Sequence, residues 1–283
     1  MNLNTIHEWQ PPALDHSYDF RDTILYALGL GYGADPLDES ELRFVYEQGL
    51  LTVPSLCAVL AHPGFWLQDP VFGVDWLKIL HAEQAFEIHK PLPTSGTVRG
   101  SFRVMGVEDK GAAKGALLHQ EKTLSDPGTG ERFATVRSTL FLRGDGGGGG
   151  FGDVPANMAD LPDRAPDRSM EIPTLPRQAL IYRLSGDWNP IHVDPKMARK
   201  AGFERPILHG LCTTGIACRA VLGAYCDNEP ARLRSMFVRF SKPVYPGETL
   251  RVEFFEESEA LRFRVIATQR NAIVLDRGHA RLG

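Results

Sequence analysis

The sequence repeats itself, and this repetition limits the possible folds more than any other feature of the chain. Three landmarks occur twice, in the same order and at nearly one spacing. They are residues 21–28 and 177–184, offset by 156; Pro54 and Pro206, offset by 152; and Lys90-Pro91-Leu92-Pro93 and Lys242-Pro243-Val244-Tyr245-Pro246, also offset by 152. Self-similarity at one offset is typical of a tandem duplication. The chain is therefore predicted to contain two copies of one fold.

A run of glycines separates the two copies. Five consecutive glycines, Gly146 to Gly150, are followed by a stretch with many prolines. Glycine runs do not hold a helix or strand against their backbone entropy. We therefore predict an amino-terminal unit of residues 1–143, an exposed and mobile linker of residues 144–171, and a carboxy-terminal unit of residues 172–283. Two units also suit the total of 283 residues.

Each copy shows the same order of predicted elements: a short helix, a loop, a longer apolar helix after Pro54 or Pro206, and a run of strands. In the second copy, residues 206–225 are apolar on nearly all sides, which is typical of a buried helix. Apolar residues lie on alternate positions at 250, 252 and 254 and at 263, 265 and 267, with charged residues at 251, 253, 262 and 264, which is typical of strands with one buried face. The predicted class is α+β, with a helix wrapped by an antiparallel sheet in each copy and the two sheets able to pair.

Charge and hydropathy narrow the class of partner. Thirty-one Lys and Arg against 35 Asp and Glu give a net charge of −4, which is too weak and of the wrong sign to attract nucleic acid. No run of 18 uncharged apolar residues and no secretory signal occur, so we expect no membrane partner. The four cysteines lack CxxC spacing, which favours buried thiols. We expect a cytoplasmic protein.

The segment from Tyr182 to His192 holds the residues best suited to chemistry. Asp187, Asn189 and His192 occur within six residues, in a stretch that contains glycine and proline and is therefore predicted to be irregular. Asp187 and His192 could converge there as a general acid/base pair. The same residues would also suit a plain turn, with Asp187 and Asn189 stabilising the backbone and His192 a helix end.

Gly210 lies in the first turn of the buried helix predicted for the second copy. Free backbone N–H groups at a helix start can stabilise an oxygen that becomes negative. Gly210 and Gly215 could equally allow close packing of the helix, and both roles can hold at once. Six other histidines have no partner nearby in the sequence and are predicted to be surface or structural: His7, His16, His62, His89, His119 and His279.

Two stretches together resemble a known family. Residues 182–192, Y-R-L-S-G-D-W-N-P-I-H, followed by residues 206–212, P-I-L-H-G-L-C, look like the type 2 2-enoyl-CoA hydratases. These are (R)-specific hydratases of the MaoC-like group, also found as a domain of the peroxisomal type 2 multifunctional enzyme. Residues 26–31 and 81–93 are similar to that family's amino-terminal segments. The resemblance implies a double hot-dog fold in which the second half is catalytic and the first shapes the acyl pocket.

The resemblance also implies a reaction, the reversible syn hydration of a trans-2-enoyl-CoA to a (3R)-3-hydroxyacyl-CoA. Asp187 and His192 would activate the water, Asn189 would help to position it, and the Gly210 amide would bind the thioester oxygen. The expected substrate-binding residues are four: His81, Gln84, Gly186 and His209. No cofactor is expected, because coenzyme A is part of the acyl-CoA substrate. No metal is expected either, because Asp, Asn and His without a further ligand cluster suit zinc poorly. We also expect a homodimer.

Two other functions remain open at this point. A hot-dog acyl-CoA thioesterase would use a similar groove but attack the carbonyl carbon and release free coenzyme A. A non-catalytic acyl-CoA-binding subunit would bind the thioester without turnover. The sequence does not indicate the length or branching of the acyl chain.

Overall fold

The computed structural model describes all residues from 1 to 283. It contains one sheet of eleven strands, and every pairing in the sheet is antiparallel. The strands are β1 (Leu14–Tyr18), β2 (Ile79–Ile88), β3 (Gly96–Asp109), β4 (Ala116–Ser125), β5 (Arg132–Leu142), β6 (Phe151–Gly152), β7 (Arg168–Pro173), β8 (Leu233–Phe240), β9 (Thr249–Glu256), β10 (Leu261–Ala267) and β11 (Ala272–Leu282). The α-helices are α1 (Leu3–His7), α2 (Phe20–Gly29), α3 (Glu39–Leu42), α4 (Gln178–Tyr182), α5 (Pro195–Lys200) and α6 (Gly210–Tyr225). None of these helices has the length and hydrophobicity needed to cross a bilayer.

The two copies share this sheet. Its order is β1-β3-β4-β5-β2-β8-β11-β10-β9-β7, so that β2 of the first half pairs with β8 of the second. At this junction Glu83 lies opposite Arg239, and the guanidinium Nη2 donates to the Glu83 carboxylate at 2.6 Å. The predicted α+β class and the predicted pairing of the two sheets are confirmed.

The second half wraps its sheet around α6. The helix has 16 residues, most of them buried, and it begins at Gly210 rather than directly after Pro206. The residues just before the helix are not helical, and the Leu208 N–H donates a hydrogen bond to the Val244 carbonyl at 2.7 Å. At Gly215 a Cβ would overlap the side chain of Leu30 from the first half. This glycine therefore lets the first half pack closely against the helix.

The first half has no equivalent long helix, which corrects the prediction made from Pro54. The chain there forms only a 3-10 helix, Pro54–Ala58. Ala61 has a positive φ of 47°, and His62-Pro63-Gly64 follow at once, so the helix cannot continue. Lys122 partly replaces the missing helical hydrogen bonds, because its buried ammonium donates to the Ala58 carbonyl at 3.0 Å and to that of Leu60 at 2.5 Å.

The glycine run is exposed, but it is held by contacts that a freely mobile linker would not make. The Gly147 and Gly149 N–H groups donate to the two carboxylate oxygens of Asp109, at 2.7 and 2.8 Å. The next residues form β6, which pairs with β3. Further on, the Ala159 carbonyl accepts a hydrogen bond from Arg262 of the second half at 2.6 Å. The last four residues of the predicted linker, 168–171, belong to β7.

The halves also meet along α6 through a buried ion pair. Arg219 donates to both carboxylate oxygens of Glu41, at 2.6 and 2.8 Å. Its guanidinium also lies over the ring of Tyr32, 5.1 Å from the ring centroid. The side chains of Arg219 and Glu41 are only 13% and 12% exposed, so the pair is largely shielded from water. This contact and the β2–β8 pairing both join the two copies.

Candidate active site

The loop between α4 and α5 carries the predicted acid/base residues. Gly186 begins it with a φ of 113°, a conformation that favours glycine. Asp187 Oδ1 then accepts the Asn189 N–H at 3.1 Å, and Asn189 Oδ1 accepts the Ile191 N–H at 3.2 Å. Both side chains therefore stabilise the turn, which is the alternative role that the sequence allowed for Asp187 and Asn189. The second carboxylate oxygen of Asp187 and the amide nitrogen of Asn189 remain available for other contacts.

The imidazole of His192 is fixed in one orientation. Its Nδ1 lies 2.8 Å from the Ile207 carbonyl, and a carbonyl only accepts, so Nδ1 carries the proton. Nε2 is therefore bare in the neutral ring, and it lies 3.9 Å from Asp187 Oδ2. This gap is too long for a direct hydrogen bond and suits a water molecule that contacts both groups.

Burial and charge act on His192 in opposite directions. Its side chain is 8% exposed, whereas that of Asp187 is 43% exposed. Burial lowers the pKa of His192, and the nearby Asp187 carboxylate partly opposes this shift. The ring is therefore neutral at neutral pH, with a nitrogen able to accept a proton.

The start of α6 supplies hydrogen-bond donors beside this pair. His209 precedes the helix without capping it by its side chain, and the N–H groups of Gly210 and Leu211 have no partner within the chain. The positive end of the helix dipole adds to their attraction for a negative oxygen. A Cβ on Gly210 would lie 3.0 Å from the Phe240 ring, so Phe240 of β8 packs closely against the backbone at the start of α6.

The first half reaches the same region through β2. A β-bulge between His81 and Glu83 interrupts the pairing with β5. The His81 ring packs against Phe240, with ring centroids 4.8 Å apart. Burial lowers the pKa of His81 to about 4, and the charge of Asp187 partly opposes this shift. The active-site region therefore includes residues of both halves.

Comparison with known proteins assigns the chain to a family. The family model described as "MaoC like domain" matches residues 157–277, and the one described as "MFE-2 hydratase 2 N-terminal domain" matches residues 16–144. Enoyl-CoA hydratase ChsH3 of Mycobacterium tuberculosis is 39% identical over 273 residues, covering 94% of this chain and 93% of that protein. The chain belongs to the type 2 enoyl-CoA hydratases. It is therefore a hydro-lyase of the MaoC-like group.

Solved structures agree with this enzyme family and with the predicted fold. The crystal structure of a MaoC-like dehydratase from Phytophthora capsici has a TM-score of 0.89 and 34% identity, and the match covers 100% of this chain and 98% of that one. A second Mycobacterium tuberculosis protein, Rv0216, described as having a double hot-dog fold, has a TM-score of 0.59 at 16% identity over 97% of this chain and 96% of its own. That likeness concerns the fold alone. The double hot-dog architecture is confirmed. Its two copies are not equal, because the first half has a short 3-10 helix where the second half has a long α-helix.

The four residues expected to bind substrate have different surroundings in the hydratase. His81 lies in the active-site region, and Gly186 is exposed in the loop before Asp187. Gln84 is 3% exposed, and its amide donates to the Ala85 carbonyl at 3.1 Å. His209 is 1% exposed, and its Nε2–H donates to the main-chain carbonyl of Asp187 at 3.2 Å. The structure thus gives His209 a partner inside the protein rather than an open face toward a substrate.

Asp187, His192 and His209 also form the one cluster of the enzyme whose side-chain atoms lie close enough together to hold a metal ion. The two imidazole rings are stacked, however, with centroids 3.7 Å apart and an angle of 24° between their planes. A metal bound to a histidine lies near the plane of its ring at about 2 Å from the nitrogen. Two nearly parallel planes at this separation do not share such a point, so the cluster fits a metal poorly.

Sequence reasoning missed three groups that shape this hydratase site. The Ile207 carbonyl, which fixes the His192 proton, is a backbone atom and leaves no signal in the sequence. Phe240 alternates with charged neighbours on β8, but nothing in that pattern points toward α6. Tyr182 opens the loop motif, and its ring packs against His209 with centroids 5.1 Å apart. The aromatic side chain at the start of the motif was the available signal.

Proposed function

We propose that the enzyme adds water across the double bond of a trans-2-enoyl-CoA thioester to give a (3R)-3-hydroxyacyl-CoA, with Asp187 and His192 as its acid/base pair. One observation carries the assignment of roles. The bare Nε2 of His192 and an oxygen of Asp187 lie 3.9 Å apart, and His209, whose ring is stacked on that of His192, directly precedes the free amide of Gly210. The relative from Mycobacterium tuberculosis that is named an enoyl-CoA hydratase supports the reaction class.

The chemistry needs a base, an acid and a site for negative charge. A water held between Asp187 and His192 loses a proton to the pair while its oxygen bonds to the β-carbon. The electrons of the double bond move toward the thioester oxygen, which the Gly210 N–H stabilises. The pair then returns a proton to the α-carbon from the same side, so addition is syn and both residues end as they began. Asn189 helps to orient the water.

A positioned acid/base group contributes about 10² to 10⁴-fold to such a reaction. One donor to the developing oxyanion contributes roughly 2.7–4 kcal/mol. Neither contribution involves a redox group or a metal. We therefore propose that the enzyme needs no cofactor, and we expect activity to survive exhaustive treatment with a chelator and dialysis. Loss of activity that returns on adding Zn²⁺ would contradict this proposal.

The acyl chain is proposed to lie against the first half. A five-residue 3-10 helix there stands where the second half has a helix of 16 residues. His81, Gln84 and Gly186 are retained as proposed substrate-binding residues. A chain-length series of enoyl-CoA substrates tests the assignment, because a large pocket predicts that kcat/KM holds or rises from crotonyl-CoA to long-chain substrates.

The decisive experiment follows crotonyl-CoA and its products. The enzyme should remove the enoyl-thioester absorbance, and chiral separation should identify the (3R)-hydroxy product. Assay of the same mixture for free thiol tests the thioesterase alternative, which would release coenzyme A without a hydroxyacyl product. Binding of crotonyl-CoA with neither product would instead indicate a non-catalytic subunit.

We further propose that the enzyme works as a homodimer in the cytoplasm. Its four cysteines are buried and unpaired, as suits a reducing compartment. At the surface, the rings of Phe65 and Trp76 lie 6.2 Å apart beside Leu77, whose side chain is 70% exposed. Apolar groups of this kind are typical of interfaces. Sedimentation equilibrium tests the dimer, and a fluorescent fusion in intact cells tests the location.

A further inference from the structure

His209 lies between the acid/base loop and the start of α6, although the hydration steps do not use its side chain. It immediately precedes α6, so its backbone leads directly to the Gly210 amide. Its ring is stacked on that of His192, with centroids 3.7 Å apart. Its Nε2–H donates to the main-chain carbonyl of Asp187 at 3.2 Å. One residue therefore joins the acid/base loop to the donor of the oxyanion site.

We propose that His209 is a positioning residue, which holds Asp187 and His192 in place relative to the Gly210 amide through its hydrogen bond to the Asp187 carbonyl. This inference rests on the proposed hydration, because its effect is measured through that reaction. It replaces the expectation that His209 binds the substrate.

Direct proton transfer by His209 does not fit its surroundings. The Asp187 carbonyl fixes the proton on Nε2, so the bare atom is Nδ1, which is buried and has no partner. Burial lowers the pKa of His209 to about 4, and the neighbouring His192 acts in the same direction. At neutral pH the ring therefore stays uncharged. A nitrogen that neither gains a proton nor reaches water cannot exchange one with the substrate.

The packing around His209 gives the rigidity that a positioning role requires. The Tyr182 ring contacts it, and Tyr182 in turn lies 5.8 Å from the ring of Tyr26 in the first half. Tyr26 is anchored by a 2.9 Å hydrogen bond from its hydroxyl to Ser55. A column of rings thus connects His192 to the first half through His209. A displacement of about 1 Å in a reacting group can cost about 10²-fold in rate, so such support has a measurable effect.

A matched pair of substitutions separates the hydrogen bond from the rest of the side chain. His209→Gln and His209→Met both remove the ring and its titration, and the two new side chains have nearly the same length and shape. Only the glutamine can donate to the Asp187 carbonyl. We expect His209→Met to lower kcat for crotonyl-CoA by at least tenfold relative to His209→Gln, with KM within threefold of wild type in both variants. Butyryl-CoA, which cannot be hydrated, should bind both variants equally well.

Three results would overturn the inference: equal kcat in the two variants, kcat of both within threefold of wild type, or a raised KM with unchanged kcat. The last result would restore a substrate-binding role. If His209→Met does not fold, His209→Asn replaces it, because its shorter amide does not reach the Asp187 carbonyl. The wild-type assay tests the proposed function separately. If the wild type itself has no hydratase activity, the proposed function is wrong, and that result does not concern the role of His209.

Discussion

A single backbone carbonyl determines how His192 can act. Because the Ile207 oxygen holds the proton on Nδ1, the other nitrogen must face Asp187 as an acceptor. The motif predicts Asp187, His192 and Gly210 as the chemical groups, and their catalytic roles stay a prediction. It was not sufficient to predict which imidazole nitrogen is free or that His209 contacts the Asp187 backbone, because both depend on main-chain atoms brought close only by folding.

The first prediction concerns the acid/base pair. Asp187→Asn removes the charge but keeps the size, and His192→Asn keeps a donor near the Ile207 carbonyl but removes Nε2. Each should lower kcat by about 10² to 10⁴-fold, because proton transfer is lost. Thermal melting should show folded protein in both cases. Either variant with a kcat within threefold of wild type would remove that residue from the proposed mechanism.

The second prediction concerns acid stability. The pKa values of His81 and His209 are lowered from 6.5 to about 4, chiefly by burial. Between these pH values the unfolded chain binds protons that the folded chain does not. Stability is therefore greatest above pH 6.5 and decreases as the pH falls toward 4.

Urea denaturation at pH 7 and pH 5 measures this loss. The midpoint should be lower at pH 5, and His209→Gln should reduce the difference between the two pH values, since it removes one of the imidazoles whose pKa is lowered in the folded chain. A midpoint that does not change with pH would show that these histidines are protonated equally in the folded and unfolded chains.

Among the elements, α6 shows that an apolar pattern in the sequence can predict a buried helix. Its apolar character on nearly all sides predicted a buried helix, and its long uninterrupted stretch allowed the helix to form. The corresponding segment of the first half starts with the same proline but meets Pro63 and Gly64 only a few residues later. Those two residues stop the helix although the repeat predicts one, because a short-range breaker acts on the backbone directly.

The third prediction compares two glycines of α6. Gly215→Ala would bring a Cβ to 2.9 Å from Leu30 Cδ1 and into overlap with Cδ2, so overpacking should destabilise the protein by about 1–3 kcal/mol. Gly223→Ala is the control, because its nearest contact is an ordinary 3.7 Å. Alanine favours helix there, so that variant should be neutral or up to about 1 kcal/mol more stable. Equal unfolding midpoints for the two variants would contradict the close packing of Leu30.

At the scale of the whole molecule, the segment between the halves is held to the sheet rather than free. The fourth prediction is that deleting Gly146 to Gly150 lowers the melting temperature by several degrees. Only residues 143–145 would remain between β5 and β6, and the Asp109 carboxylate would lose two of its three glycine donors, Gly147 and Gly149, keeping only Gly111. Gly148→Ser is the control and should melt like wild type, because a Cβ there has nothing within 4 Å and the backbone φ is not left-handed. A deletion variant that melts like wild type would show that these contacts contribute little.

The fifth prediction is that residues 168–283 expressed alone are insoluble or inactive. The fragment would expose the edge of β8 and leave Arg219 without Glu41 inside an apolar surface. Unpaired strand edges and uncompensated buried charges both disfavour a folded, soluble chain. Expression and hydratase assay of the fragment test this expectation. A soluble fragment with full activity would mean that the first half does not complete the site.

The short 3-10 helix of the first half has an evolutionary consequence. When two identical chains form a symmetric pair, every substitution is made in both partners, so a helix cannot be lost from one partner alone. Fusion of the two copies removes this constraint. One copy could then exchange its central helix for a short 3-10 helix while the other kept the helix that begins at Gly210. Selection can thereby act on the two halves separately, although they are encoded by one gene.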